Sequence, residues 1–470
     1  MERLSGLDAG FLYMETPTLL MHTLKLAILE PPVAVDALPL EWVRARIADR
    51  LHLLPPFRRR LVEVPFGLHH PLWIEDPDFD LEYHVRRVQV PPPGTPEQMD
   101  RVVAELASRP LDRRRPLWEL SVLNGLEGGR IAVLIKIHHA AADGVAAAAL
   151  LANVMATDVP ASLEPGRPAT PWHPEPVPTP WELVRDALVD QARQWRHLPD
   201  LLRRTVARVA ALVRHKRGAP VRTPVPMLST PRTRFGAALT PHRSFATCSL
   251  PFADLRRVKD AFDVTINDVF LAIVAGALRS WLADHGELPA RPLVAGVPVS
   301  TDRPDEIRRL GGNRVSNMFT TLATDEADPA QRLATIHRTT AEAKVVQNLL
   351  GAEMMADWVQ YTPGRPYSWV VRQWSRHGVA DQLPAPINVV VSNVPGPRTP
   401  LFAGSARLDA IFSVGPILEG VGLNVTGWSY GDELHVGLLA CREHLDDPHQ
   451  VTDRLRGALD ELVALATVDA

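Results

Sequence analysis

Two histidines, an aspartate and a glycine stand together in His138-His139-Ala140-Ala141-Ala142-Asp143-Gly144. An imidazole titrates near neutrality, so a rigidly held histidine is suited to take a proton from a reacting hydroxyl. Residues 130–138 (RIAVLIKIH) are β-rich and long enough for a buried strand, and the alanine- and leucine-rich stretch 144–155 favours a helix. The motif therefore falls where a strand ends and a helix begins. Side chains alternate along a strand, so only one of two adjacent histidines can enter a given cleft. The other must turn into the protein body and find a partner there. Asp143 and Gly144 suit the turn, Asp because it tolerates unusual dihedrals and Gly because it permits close backbone approach. The plainer reading is a buried histidine pair satisfied by the backbone. A second pair, His69-His70, precedes Pro71-Leu72-Trp73 with no Asp-Gly after it and is assigned no chemistry.

Other chemistries find little support. Neither histidine pair has the H-E-x-x-H spacing of a zinc site, no G-x-S-x-G elbow offers an acyl-enzyme serine, and no G-x-G-x-x-G follows a strand. Cys248 and Cys441 form no C-x-x-C pair, so neither a disulfide framework nor a metal site is expected, and a cytoplasmic location is. The formal charge of −3, with 46% hydrophobic and 22% charged residues, gives no reason to expect nucleic acid. The first residues lack a signal-peptide pattern, and no uncharged apolar run reaches the ~18 residues of a membrane span. The expected protein is soluble, or bound to a membrane only at its surface.

The elements that must carry the motif form two α/β halves. In the first, residues 1–156, segments 22–29 and 119–123 read as strands and 96–108 as an amphipathic helix. Residues 157–180 hold too many prolines for a helix or inner strand and read as an extended linker. Residues 181–217 look helical, with Val184, Leu188, Trp195, Leu198, Leu202, Val206, Val209 and Val213 at helical spacing and Pro199 placed to kink or split them. This segment carries nine Arg/Lys against four Asp/Glu. A basic amphipathic helix can lie on an anionic membrane, or it can brace two domains; the brace is the expectation, because an apolar stripe must be buried somewhere. With the proline-containing stretch that follows, 157–241 forms a crossover into a second half, 242–470. Its strand candidates are 244–250, 293–299, 316–322, 387–392, 421–428 and 433–440, and 265–282 reads as a helix with Thr265 as N-cap.

His138 to Gly144 matches the HHxxxDG motif of the CoA-dependent acyltransferase superfamily, which includes chloramphenicol acetyltransferase and peptide condensation domains. Further blocks resemble the bacterial wax ester synthase/diacylglycerol acyltransferase family in particular. These are Leu7-Asp8-Ala9-Gly10-Phe11-Leu12, Pro116-Leu117-Trp118-Glu119, Asn267-Asp268, Val297-Pro298-Val299-Ser300, Gly312-Asn313-Arg314-Val315-Ser316-Asn317 and Ser392-Asn393-Val394-Pro395-Gly396-Pro397. They occur in the family's order over nearly the whole chain. The chain departs from the common pattern in the three alanines after the histidines and in the two residues, Thr301-Asp302, between the VPVS block and Arg303.

The resemblance implies two chloramphenicol-acetyltransferase-like domains of mixed α/β structure with an active-site channel between them. It implies transfer of a fatty acyl group from acyl-CoA, as substrate, to a lipid alcohol, with no cofactor or metal. His139 would be the general base, His138 its orienting neighbour, and Asp143, with Gly144, a structural turn held by an arginine, Arg303 or else Arg314. Asn267, Ser392 and Asn393 would line the channel, while Asp268 and Pro116-Leu117-Trp118 would support it. Peripheral association with the inner membrane face or lipid inclusions is compatible with the basic helix. Two other readings share parts of this pattern: a condensation-type enzyme, for which the chain has no carrier domain, and a lipid-inclusion scaffold that has kept the fold without the chemistry.

Overall fold

The computed structural model describes residues 1–30, 39–157, 174–302, 309–351 and 353–468. Among them are two six-stranded mixed sheets and a small three-stranded one. The first large sheet runs, in spatial order, Phe402–Ala403, Ala406–Val414, His22–Glu30, Ile131–His138, Trp118–Asn124, Val85–Gln89. The second runs Val315–Thr321, Val294–Ser300, Val389–Val394, Leu423–Tyr430, Glu433–Cys441, Arg243–Pro251. Each strand expected from the sequence is present with its ends moved by a residue or two. His22–Glu30 and Ile131–His138 lie side by side in the middle of their sheet, paired His22 to His138 through Leu29 to Ile131. Both are apolar on alternate residues of both faces, as a strand covered on two sides requires.

The sheets do not follow the order of the chain. Ala406–Val414 leaves the second half and pairs antiparallel with His22–Glu30, bringing Phe402–Ala403 with it. The expected second half, 242–470, thus supplies two strands to the first sheet. The strand is not among those expected: Leu408, Ile411, Phe412 and Val414 are apolar, but Arg407 and Asp409 interrupt them, and nothing in the segment names its partner. Which strand pairs with which is decided by contacts between segments remote in sequence, and no local periodicity names the partner.

Ile266–Asp284 begins at Thr265, whose hydroxyl accepts the Asp268 amide while the Asp268 carboxylate accepts from Thr265, a capping box. By length and composition this helix could cross a membrane, yet here it is the central helix of the second half, buried against Pro329–Leu350 and His449–Val468. Cys248 and Cys441 are unpaired.

Pro180–Gly218 is one helix that continues through Pro199 and is not split there. Its buried residues are Leu183, Ala187 and Leu201, whereas Leu188, Trp195, Leu202, Val206, Val209 and Val213 are exposed. The expectation that a neighbouring domain covers this apolar stripe is therefore corrected: the helix is held by its other face. Most of the proline-rich linker before it, residues 158–173, lies outside the described residues.

Candidate active site

The histidine motif closes onto a segment 170 residues further along the chain. The Gly312 amide donates to the Ala141 carbonyl at 2.9 Å, and the Asp143 amide to the Gly312 carbonyl at 3.3 Å. Gly312 makes this bridge with a φ of +71°, a conformation that strains any residue with a Cβ. Asp143 caps the helix Gly144–Val154, its Oδ1 accepting the Ala146 amide at 3.0 Å. Its Oδ2 accepts the Arg314 amide at 3.0 Å and the Arg309 guanidinium. Arg309 also grips Asp302, through Nε at 2.8 Å and Nη2 at 3.0 Å. Among the described residues, Arg309 is the arginine whose side chain holds Asp143. Arg303 lies outside the described residues, and Arg314 serves Asp143 through its backbone.

His139 follows the strand Ile131–His138 and stays in the ladder, its amide donating to the Met21 carbonyl at 2.7 Å. Phe11 stacks on its ring, centroids 4.2 Å apart. The decisive partner is Asn313. Its amide nitrogen donates to Asp8 Oδ1 at 2.7 Å and to the His139 carbonyl at 2.7 Å. Both are obligate acceptors once Asp8 is ionised, so the nitrogen of Asn313 must face them and its oxygen must face His139. That oxygen lies 2.8 Å from His139 Nδ1. Nδ1 therefore carries the proton, and the lone pair is on Nε2. Nε2 has no hydrogen-bond partner among the described residues and, unlike Nε2 of His138, is not sealed from solvent. Burial holds the imidazole of His139 below its usual range, opposed by the nearby charge of Asp143.

His138 points the other way. It is fully buried, its Nδ1 accepts the Ala140 amide at 3.0 Å, and its Nε2 faces Glu15 at 3.6 Å. Burial keeps its imidazole well below the ordinary range, so it is a neutral group that shapes the turn. The two adjacent histidines occupy opposite faces, as strand alternation requires.

One residue of the motif, Ala141, borders a cleft, and the helix that follows the motif covers a second space. Asp8, Ala141, Arg309 and Gly312 line a cleft of about 690 Å³, together with Arg3, Trp73 and Gln360. On the face of the sheet shared by Val133, Ile135 and Ile137, the helix Gly144–Val154 covers an almost wholly apolar cavity. His139 follows Ile137 in that alternation, one residue beyond the strand's end, and is not among the residues that line the cavity. The main polar exception inside is Lys25, whose Nζ donates to Ser413 Oγ at 2.6 Å and which burial lowers to about 8.

The remaining candidates fall in several places. Leu117 accepts the His138 amide at 2.9 Å. Trp118 is sandwiched between Phe57 and His84 and donates Nε1–H to the Phe57 carbonyl at 2.9 Å, so Pro116-Leu117-Trp118 is scaffold under the strand. Asp268 caps its helix and accepts from Thr340 and His337. Asn267 is half-buried in the first turn of that helix, its side chain hydrogen-bonded to none of the described residues, His139 included. On Val389–Val394, Ser392 shares a face with Val394, which lies against Gly144. Asn393 shares the opposite face with Val389 and Val391, which belong to the core of the second half. Asp8 and Asn313 lay inside blocks quoted for the family resemblance, yet no role followed from them. Nothing local ties residues 305 apart. Among the described residues no cluster of three His, Cys, Asp or Glu could hold a metal.

Residues 4–270 match the family model of the wax ester synthase/diacylglycerol acyltransferase catalytic domain, and residues 311–463 that of its C-terminal domain. A Mycobacterium tuberculosis protein named as a candidate diacylglycerol O-acyltransferase is 39% identical over 452 residues, 96% of this chain and 94% of its own. Another from the same organism is 37% identical over 475 residues, 100% of this chain and 98% of its own. Among solved structures, the wax ester synthase/diacylglycerol acyltransferase of Marinobacter aquaeolei VT8 superposes with a TM-score of 0.69 at 27% identity, over 99% of this chain and 100% of that one. The first condensation domain of the CDA synthetase shares the fold, with a TM-score of 0.58 at 16% identity over 99% and 96% of the two chains.

Proposed function

Since the chain belongs to the wax ester synthase/diacylglycerol acyltransferase family, we propose that it transfers a long-chain acyl group from acyl-CoA to the hydroxyl of a lipid by direct attack, with Nε2 of His139 as general base. One observation carries the proposal: Asn313 fixes the His139 tautomer so that the free lone pair is on Nε2. As the hydroxyl oxygen attacks the thioester carbonyl, Nε2 takes the hydroxyl proton and a C–O bond forms. Collapse of the tetrahedral oxyanion breaks the C–S bond. The imidazolium returns its proton to the departing sulfur, leaving ester, free CoA and neutral His139. The charge of Asp143 favours the imidazolium while it exists. The scheme requires neither an acyl-enzyme nor a cofactor.

The apolar cavity under the helix Gly144–Val154 suits a hydrocarbon chain, and the names of the mycobacterial relatives favour diacylglycerol as acceptor. The test is CoA release from palmitoyl-CoA with dipalmitoylglycerol or hexadecanol, the lipids resolved by mass spectrometry, for wild type and His139→Ala in parallel. Ester formed only by wild type is the expected result and names the acceptor. Equal ester from both proteins would remove His139 as the base, and no ester from either acceptor would remove the lipid-alcohol reading.

A further inference from the structure

The helix Pro180–Gly218 is fastened along one side. Leu183 and Ala187 are buried with Val64 and Leu72. Gln194 donates to the Gln360 carbonyl at 2.6 Å, Arg208 to the Leu350 carbonyl at 3.1 Å, and His215 Nε2 meets Glu342 at 2.7 Å. On the other side Leu188, Trp195, Leu202, Val206, Val209 and Val213 are 43–68% exposed. Their spacings of seven, seven, four, three and four residues place them on a single face of a helix with 3.6 residues per turn. A soluble surface has no use for an apolar row extending over half of a 39-residue helix.

The charges beside the row choose its partner. Arg185, Arg196, Arg203 and Arg214 are exposed, and their spacings of eleven, seven and eleven residues form a second row roughly 80° round the helix from the first. Glu182, Asp186, Asp190 and Asp200 all fall further round, away from the apolar row. Arg185 meets Asp186 at 3.0 Å and Arg203 meets Asp200 at 3.2 Å, but these are exposed pairs that contribute little. An apolar centre bearing a tryptophan, an arginine flank and acidic residues turned away is the arrangement of a helix lying in the plane of an anionic bilayer.

We infer that the outward face of Pro180–Gly218 docks the protein on an anionic phospholipid surface. This docking rests on exposure and charge rather than on the proposed chemistry, although a lipid alcohol and its ester would both be dissolved in such a surface. The helix also stands close to the candidate site. Gln360, which accepts from Gln194, abuts Gly6 at the start of the helix that carries Asp8 and Phe11.

The test is flotation of the full chain with phosphatidylcholine vesicles, with and without phosphatidylglycerol, at low and high salt. Binding is expected only with phosphatidylglycerol and is weaker at high salt. Leu202→Glu/Val206→Glu and, separately, Arg196→Glu/Arg203→Glu are each expected to weaken it, the second roughly 30-fold or more. Both are expected to keep the wild-type melting temperature and the wild-type rate on a water-soluble short-chain acyl-CoA and alcohol. Failure of the wild type to float with phosphatidylglycerol would overturn the inference, as would variants that float like it. So would a wild-type dimer in solution that Leu202→Glu/Val206→Glu converts to monomer, because the row would then belong to a second copy. Loss of short-chain activity in wild type with vesicle binding intact would overturn the proposed chemistry alone.

Discussion

Asn313 Oδ1 accepts the Nδ1 proton of His139 at 2.8 Å, across 174 residues of sequence. The amide itself is oriented by the buried carboxylate of Asp8, to which its nitrogen donates at 2.7 Å. An Asp–Asn–His chain therefore stands where an Asp–His pair would be looked for, and Asp143, four residues after His139, is occupied instead with Arg309 and the helix start.

Removing the amide should release the histidine ring without removing the base. Asn313→Ala is expected to lower kcat about 100-fold with little change in KM, since misplacing a reacting group by about 1 Å costs that much. Asn313→Asp should be no better than alanine, because a second carboxylate would face Asp8. Steady-state kinetics of the three proteins checks both statements.

His139→Ala should lower kcat by about 10²–10⁴, the usual contribution of a positioned general base. Its melting temperature should stay close to wild type, because the strand ladder at residue 139 uses backbone groups. A rate loss under tenfold would place the base elsewhere.

The acid limb of the rate profile follows from the same ring. Only neutral His139 can accept a proton, and burial holds its imidazole below the usual 6.5. Activity is therefore expected to be constant above pH 6.5 and to fall only below it, in a kcat/KM profile measured in wild type. In Asn313→Ala, which removes one acceptor that favours the charged ring, the limb should move further toward acid.

Stability should also fall with acid. Burial lowers His84 and His435 to about 4 from 6.5, so the unfolded chain binds protons that the folded one refuses. Their contribution is complete above pH 6.5 and declines as pH falls toward 4, by up to roughly 3 kcal/mol each. Denaturant unfolding between pH 7 and pH 4 measures it. A flat profile would mean that these histidines titrate normally.

Arg309→Met should destabilise the turn by about 3 kcal/mol, because it leaves the carboxylates of Asp143 and Asp302 without their shared cation. Adding Asp143→Asn should recover part of the loss, since one of the stranded charges is gone. A double-mutant cycle by denaturant unfolding reads the coupling.

The sequence by itself determined the local facts. It set the strand that ends in His138-His139, the helix that starts at Gly144, the opposite faces of the two histidines, and the capped helix at Thr265, because each depends on residues within a turn or two of one another. The family blocks fixed the superfamily fold. What only tertiary structure decided are the contacts between remote segments. Arg309 holds Asp143, Asn313 and Asp8 set the tautomer of His139, and Ala406–Val414 enters the first sheet. The apolar row on Pro180–Gly218 shows the same division from the other side. Helical spacing made the row visible in the sequence, but whether it is covered depends on which face the rest of the chain grips, and the chain grips the face of Leu183, Ala187 and Leu201.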